Sequence, residues 1–356
     1  MSAARPRTLV VRVDGAGDVL LAGPAVRAVA AGSAHTALLC GPQGEWAARL
    51  LPGVDEVLVH DPPWAGFDPP PLDPRATARL VERIAAGRYD RALVLVSFHQ
   101  SPLPAALLLR MAGVPWVGAD CVDYPGSLLD LRHRRGEHRH EAQAALDLAA
   151  AAGFPAPSGD DGRLAVLPPP DTGALTGPEP YVVLHPGASV PARAPGPDWA
   201  ARAAAALGAA GHRVVLTGGP DEKELTAHCA AAVLRAEGGT PPALDLGGAT
   251  EPAELAGVLR RARVVVVGNT GPAHLAAAVG TPVVSLFAPV VPAERWRPWG
   301  VPHRLLGRAG APCAGSRART CPVPGHPCLD SVTEDELLAA VAELTEATTE
   351  TTEGER

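Results

Sequence analysis

The chain has 356 residues, long for one domain and comfortable for two. Its net charge of −7 excludes general nucleic-acid binding, which needs a basic footprint, and no long uninterrupted apolar run reads as a membrane span. With 47% hydrophobic residues and only 4% aromatic ones, the cores must be packed mainly by Ala, Val and Leu.

Short β-branched, apolar runs predict strands at Leu9–Val13, Thr36–Cys40, Glu56–His60, Arg91–Val96 and Trp116–Ala119. Helices are predicted between them at Val19–Ala31, Glu45–Leu51, Pro74–Ala86 and Pro104–Ala112, and Glu137–Ala152 closes this half. From Phe154 to Pro180 prolines and glycines crowd, which predicts an edge segment at Leu164–Leu167 and a linker. The alternation then restarts, with strands Tyr181–His185, Arg213–Thr217, Ala243–Leu246, Val264–Gly268 and Val283–Phe287. The intervening helices are Asp198–Ala210, Asp221–Ala236, Pro252–Arg261 and Pro272–Val279. Thr333 and Glu336 are spaced as a capping box for a final helix, and the polar tail 348–356 reads as disordered. The predicted division is a first domain 1–153, a linker 154–180, a second domain 181–330 and a C-terminal helix 331–347. Repeated β-α units predict an α/β fold with two doubly wound, Rossmann-like sheets, the outline of the GT-B architecture with its two domains facing a cleft.

Two turns carry the chemistry. Gly268-Asn269-Thr270-Gly271-Pro272-Ala273-His274 follows an apolar strand and opens a small-residue helix. Free backbone N–H groups and the positive end of the helix dipole favour a phosphate there. Asp14-Gly15-Ala16-Gly17-Asp18 makes a second such turn after the first strand. That Gly-x-Gly lacks the third glycine of a dinucleotide fingerprint, because Leu20 stands there, so a dinucleotide-dependent oxidoreductase is a weak competitor.

These motifs resemble glycosyltransferase family 9, the ADP-heptose:lipopolysaccharide heptosyltransferases. The resemblance rests on Val11 to Leu21 with Pro24-Ala25-Val26-Arg27, His185-Pro186-Gly187-Ala188-Ser189, Thr217 to Glu222 and Gly268 to Ala278, in order from about Leu9 to Leu337. It implies an inverting, metal-independent transfer of a sugar from a nucleotide diphosphate sugar, ADP-heptose by inheritance. The acceptor would be a hydroxyl of a cell-envelope glycan or a secondary metabolite. A sugar-nucleotide-binding protein without transferase activity is the alternative.

Asp18 falls on the family's catalytic aspartate, where a carboxylate takes the acceptor's proton as general base. The same residue would suit a cap for a helix starting at Val19. Asp14 reads as a turn residue. The resemblance places the donor on Ser189, Arg193, Glu222, Asn269, Thr270, Gly271 and His274. Ser189 and Arg193 would meet the diphosphate, and Glu222 the ribose hydroxyls unless it serves only the helix dipole. Thr270 and Gly271 would cradle the diphosphate through their amides, and His274 would sit one turn into the helix. Family members usually carry aspartate where this chain has Asn269, which leaves the donor sugar open.

The first half is expected to bind the acceptor, at Gly17 and at the basic stretch containing Arg132, Arg134 and Arg135, which would suit an anionic group. A solvated loop is the plain alternative. No Asp-x-Asp pair stands at a strand end, so no metal or other cofactor is expected. Cys313, Cys321 and Cys328 with His303 and His326 are spaced too widely for a usual zinc knuckle. With no signal-peptide pattern, a cytoplasmic location is expected, extending to the inner face of the membrane through peripheral association. A monomer is expected.

Overall fold

The structure is a computed structural model that describes residues 4–66, 68–177, 180–235 and 243–354, the side chains of 347–354 excepted. The chain divides into two compact units, Met1–Leu167 and Pro168–Arg356.

The first unit holds six parallel strands: β1 (Arg7–Arg12), β2 (His35–Cys40), β3 (Glu56–Val59), β4 (Arg91–Val94), β5 (Trp116–Asp120) and β6 (Leu131–His133). Their order is β3-β2-β1-β4-β5-β6. The second unit repeats the plan with β7 (Val182–His185), β8 (Val214–Gly218), β9 (Leu244–Gly247), β10 (Val264–Gly268), β11 (Val283–Leu286) and β12 (His303–Leu306). Its order, β12-β11-β10-β7-β8-β9, is the same topology within its own unit. In each sheet the strand order reverses beside the first strand, between β1 and β4 and between β7 and β10. Such a switch point opens a crevice at the carboxyl ends of the strands, where α/β proteins bind ligands.

Both sheets are covered on both faces, which is why their central strands read as continuous apolar runs. Val264, Val265, Val266 and Val267 of β10 are all fully buried. One face of the first sheet packs Leu9, Val11, Leu39 and Val94 against Leu80, Ile84 and Leu109 of the helices Pro74–Gly87 and Leu103–Met111. In the second unit Val182, Leu184 and Val266 pack with Trp199 and Leu207, and with Val341 and Leu344 of the last helix. Trp199 Nε1 donates to the Val332 carbonyl at 2.7 Å, tying the helix Pro197–Ala209 to the chain just before that last helix.

Several predicted boundaries move. The segment predicted as one helix from Val19 is two, Ala16–Leu21 and Gly23–Gly32. The edge strands β6 and β12 were not predicted. Leu164–Leu167 is not a strand; it lies on the first unit, with Leu164 buried and the Leu167 N–H donating to the Leu50 carbonyl at 2.8 Å.

Residues 154–177, predicted as edge segment and linker, are two anchored pieces. The earlier piece is held by Arg27, whose guanidinium grips Asp160 at 2.7 and 2.8 Å. The later piece forms the short helix Gly173–Thr176, with Arg213 donating to the Thr176 carbonyl and Arg261 to Asp171 at 3.2 Å. The boundary falls between Leu167 and Pro168 rather than across the whole segment.

The predicted capping box is present: Thr333 N–H donates to Glu336 Oε2 at 2.8 Å, and Glu336 N–H to Thr333 Oγ1 at 3.2 Å. The backbone helix it opens runs Glu334–Gly354, past the expected end at 347. The side chains of the predicted tail 348–356 lie outside the described residues. Among the described residues no helix is long and apolar enough to cross a membrane.

Candidate active site

In the first unit the chain leaves β1 at Arg12, which is 3% exposed. An arginine buried at the end of an apolar strand must be paired. Its guanidinium meets Asp14 Oδ2 at 3.0 Å, Asp18 Oδ1 at 2.9 Å, Glu141 Oε2 at 3.5 Å and the Ser97 hydroxyl at 2.9 Å. Three carboxylates therefore surround one cation, and together they hold its charge on firmly.

The turn itself is built on Gly15, whose carbonyl accepts from Asp18 N–H and Val19 N–H at 3.0 and 3.1 Å. Gly15 is the N-cap of the helix Ala16–Leu21, so Asp18 sits inside its first turn and does not cap a helix starting at Val19. Gly17 lies in the same turn, half-buried. The Asp18 side chain is 25% exposed, against 9% for Asp14 and 2% for Glu141. Asp18 is the carboxylate of the three that faces outward.

Asp14 is more than the turn residue predicted. It accepts from Gln100 Nε2 at 2.5 Å and from the Ser97 hydroxyl at 3.4 Å, both from the loop after β4. The loops after β1 and β4 are thus bonded across the switch point of this sheet. Burial pushes the Asp14 carboxyl above its usual range, against the pull of Arg12. Burial does the same to Glu141, opposed by Arg12 and Arg135.

The predicted acceptor arginines divide. Arg135 donates to Glu141 Oε1 at 2.9 Å, to Asp120 Oδ2 at 3.0 Å and to the Val96 carbonyl. It braces the sheet end and is already paired with two carboxylates. Asp120 also bonds the His133 ring. Arg132 donates to the carbonyls of Cys121 and Val122 at 3.1 and 2.5 Å, shaping the loop after β5. Arg134 is exposed.

In the second unit the predicted donor residues gather at the ends of β7, β8 and β10. Gly268 ends β10, and a methyl group there would run into the carbonyl of Arg193. The two loops flanking the switch point approach that closely because this position has no side chain. Gly268→Ala is expected to lower stability by about 1–3 kcal/mol. Thermal unfolding beside wild type checks this; an unchanged Tm would refute the close approach.

The next residue, Asn269, is 4% exposed, and neither its Oδ1 nor its Nδ2 finds a hydrogen-bond partner among the described residues. A buried, unpaired amide costs free energy, and native structures keep few of them. Thr270 is the N-cap of the helix Gly271–Ala278 and offers it no side-chain cap bond. His274 is buried in that helix, and Ser189 is exposed in the loop after β7.

Glu222 is turned back on its own segment: its Oε2 accepts from Gly219 N–H at 2.7 Å and lies 3.7 Å from His185 Nε2. Its carboxylate also fills the place a Gly187 side chain would need. His185 Nδ1 pairs with the Thr217 hydroxyl at 3.0 Å, and burial pushes the imidazole below its usual value, outweighing the pull of Glu222.

The late cysteines belong to the second core. Cys313 and Cys328 are buried there, and Cys321 packs against them. Burial, with Cys313 and Cys321 close by, pushes the Cys328 thiol up to about 12. Among the described residues no group of three His, Cys, Asp or Glu side chains is arranged to hold a metal ion.

Comparison with known proteins decides the lineage. The profile of glycosyltransferase family 9 (heptosyltransferase) matches residues 77–326, more than half of the chain. The protein belongs to glycosyltransferase family 9. Two Escherichia coli proteins named lipopolysaccharide heptosyltransferase 3 are similar to parts of it. One is 41% identical over 95 residues, 26% of each chain; the other, from strain K12, is 35% identical over 119 residues, 33% of each. The chain thus spans a quarter to a third of the length of these curated relatives.

Among solved structures, a family 9 glycosyl transferase from Veillonella parvula superposes with a TM-score of 0.73 at 17% identity, covering 98% of this chain and 99% of that one. The Escherichia coli ADP-heptose lps heptosyltransferase II gives 0.70 at 20% identity, over 96% and 99%. The Escherichia coli heptosyltransferase WaaC with ADP gives 0.65 at 18%, over 96% and 98%. The family 9 chain has their fold, GT-B, with one parallel six-stranded sheet in each unit.

Proposed function

We propose that this family 9 protein is an inverting glycosyltransferase. It moves a heptose or related sugar from a nucleotide diphosphate sugar, with ADP-heptose the first candidate, to a hydroxyl of a cell-envelope glycan or secondary metabolite, without a metal ion. The observation that carries the proposal is Asp18: a carboxylate held by Arg12 through one oxygen and turned outward at a sheet switch point. The names of the solved relatives, one for ADP-heptose and one with ADP bound, support the choice of nucleotide.

In this reading the acceptor hydroxyl attacks the anomeric carbon while Asp18 takes its proton. The C–O bond to the diphosphate breaks on the opposite face, and the configuration inverts. The leaving diphosphate carries the charge that must be stabilised. The Gly271 amide at the N-terminus of the helix Gly271–Ala278, the Thr270 hydroxyl, Ser189 and Arg193 would supply donors for it. Asn269 would place its two unpaired amide atoms on sugar hydroxyls, recovering the bonds it lacks. His274 stands behind the diphosphate site, and Glu222 would meet the ribose. Gly17 and Arg134 are the residues proposed for the acceptor side, with Arg132 holding the neighbouring loop.

Calorimetric titration with ADP, GDP, UDP and dTDP, in the presence of EDTA, tests the donor half. ADP is expected to bind wild type and Asp18→Asn with equal affinity, and the other nucleotides at least tenfold more weakly. Binding of none of the four would overturn the proposal, and binding only when magnesium is restored would overturn its metal-free part.

A further inference from the structure

The first unit contains a charge arrangement that a single general base does not need. Arg12 is shared among Asp14, Asp18 and Glu141, and Glu141 is shared in turn with Arg135, which also holds Asp120. Asp14 and Glu141 are nearly fully buried and point inward, while Asp18 is the member that reaches solvent.

We infer that Arg12, Asp14 and Glu141 form a positioning unit for Asp18: Arg12 fixes one oxygen of its carboxylate, and the two buried carboxylates divide the charge of Arg12 so that Asp18 stays basic. This inference rests on the reading of Asp18 as the base. An arginine paired with one carboxylate alone depresses that carboxylate's proton affinity, by about 1–3 pH units for a close contact. Such a partner would orient Asp18 and at the same time weaken it as a proton acceptor. Two further carboxylates on the same guanidinium offset the second effect and leave the first intact. Arg12, at the end of β1, is then a fixed mount, held by four partners: Asp14 in the turn after β1, Asp18 in the helix Ala16–Leu21, Ser97 in the loop after β4 and Glu141 at the start of the helix Glu141–Ala151.

Among the charged groups facing Asp18 are Arg12 from β1, Asp14 from its own turn and Glu141 from that helix. Behind them stand Arg135, Asp120 and His133, and Ser97 and Gln100 contribute neutral hydrogen bonds to Asp14. Burial already raises the proton affinity of Asp14 and Glu141.

The test is a carbon-13 NMR titration of the Asp18 carboxyl in the full chain, with the signal assigned by its disappearance in Asp18→Asn. Glu141→Gln keeps one acceptor oxygen, for Arg135 or for Arg12, and removes one negative charge. It is expected to lower the Asp18 midpoint by about one pH unit. Asp14→Asn, which still accepts from Gln100, is expected to move the midpoint in the same direction, and it decides the matter alone if Glu141→Gln does not fold. Folded variants whose Asp18 midpoint stays at the wild-type value, or rises, would overturn the inference. A merely structural role for the cluster would lower Tm and leave that midpoint in place. Failure of the underlying reading looks different: Asp18→Asn would release ADP from ADP-heptose at the wild-type rate, whatever the midpoints do.

Discussion

Replacing Asp18 by asparagine is expected to slow transfer by about 10²–10⁴-fold, the usual contribution of a positioned general base. The substitution is nearly isosteric. Asparagine Oδ1 can still accept from the Arg12 guanidinium, which reaches Asp18 Oδ1 at 2.9 Å, so the turn and the helix Ala16–Leu21 should keep their geometry. What is lost is the ability to hold a proton. The loss should therefore appear in kcat, with KM for the donor and the affinity for ADP unchanged, because the proposed donor residues belong to the other unit. Release of ADP from ADP-heptose, followed beside calorimetric ADP binding, separates the two quantities. A kcat within about tenfold of wild type would remove Asp18 from the base role. An equal loss of ADP affinity would mean that the residue acts on donor binding instead.

The alternation of strands and helices was legible because parallel strands covered on both faces must be apolar throughout. The two strands that were missed explain the limit of that signal. Leu131-Arg132-His133 and His303-Arg304-Leu305-Leu306 lie at sheet edges, where one side is open and charged residues are tolerated, so their sequence carries no apolar run. The segment 154–177 misled for a different reason. Its prolines and glycines describe local backbone preference, whereas Arg27, Arg213 and Arg261, remote in sequence, hold it down.

The candidate site divides in the same way. Asp18 and the turn at Gly268 were legible from a local motif. The partners of Asp18 were not, because Glu141 at the start of a helix looks like any dipole-favoured glutamate until Arg12 and Arg135 are seen beside it. One signal was present in the sequence: Arg12 closes an otherwise apolar strand, and a buried arginine needs acidic company. The partners of Arg135 were not legible either, because a run of basic residues does not reveal which cations already have partners.

Arg12→Met should cost about 3–5 kcal/mol at neutral pH, the penalty for removing one partner of a buried charge cluster. Methionine replaces most of the buried stem, so the loss would come from charge rather than from a cavity. Without Arg12, Asp14 keeps only the neutral Gln100 and Ser97, and Glu141 keeps Arg135. The pH dependence has a definite sign. Burial already raises both carboxyls above their unfolded values, and removing the cation raises them further. A group whose folded pKa lies above its unfolded one favours the fold below the unfolded value and loses that contribution as pH rises through the folded value. The deficit of Arg12→Met should therefore be largest at pH 7–8 and shrink toward pH 5, as the folded state takes up protons that the unfolded chain has already released. Urea unfolding of variant and wild type across that range measures it. A deficit that stays constant with pH would mean that Arg12 contributes packing and hydrogen bonds alone. A deficit below about 1 kcal/mol throughout would mean that solvent or protonation already neutralises the carboxylates, and that the cluster places no electrostatic demand on the fold.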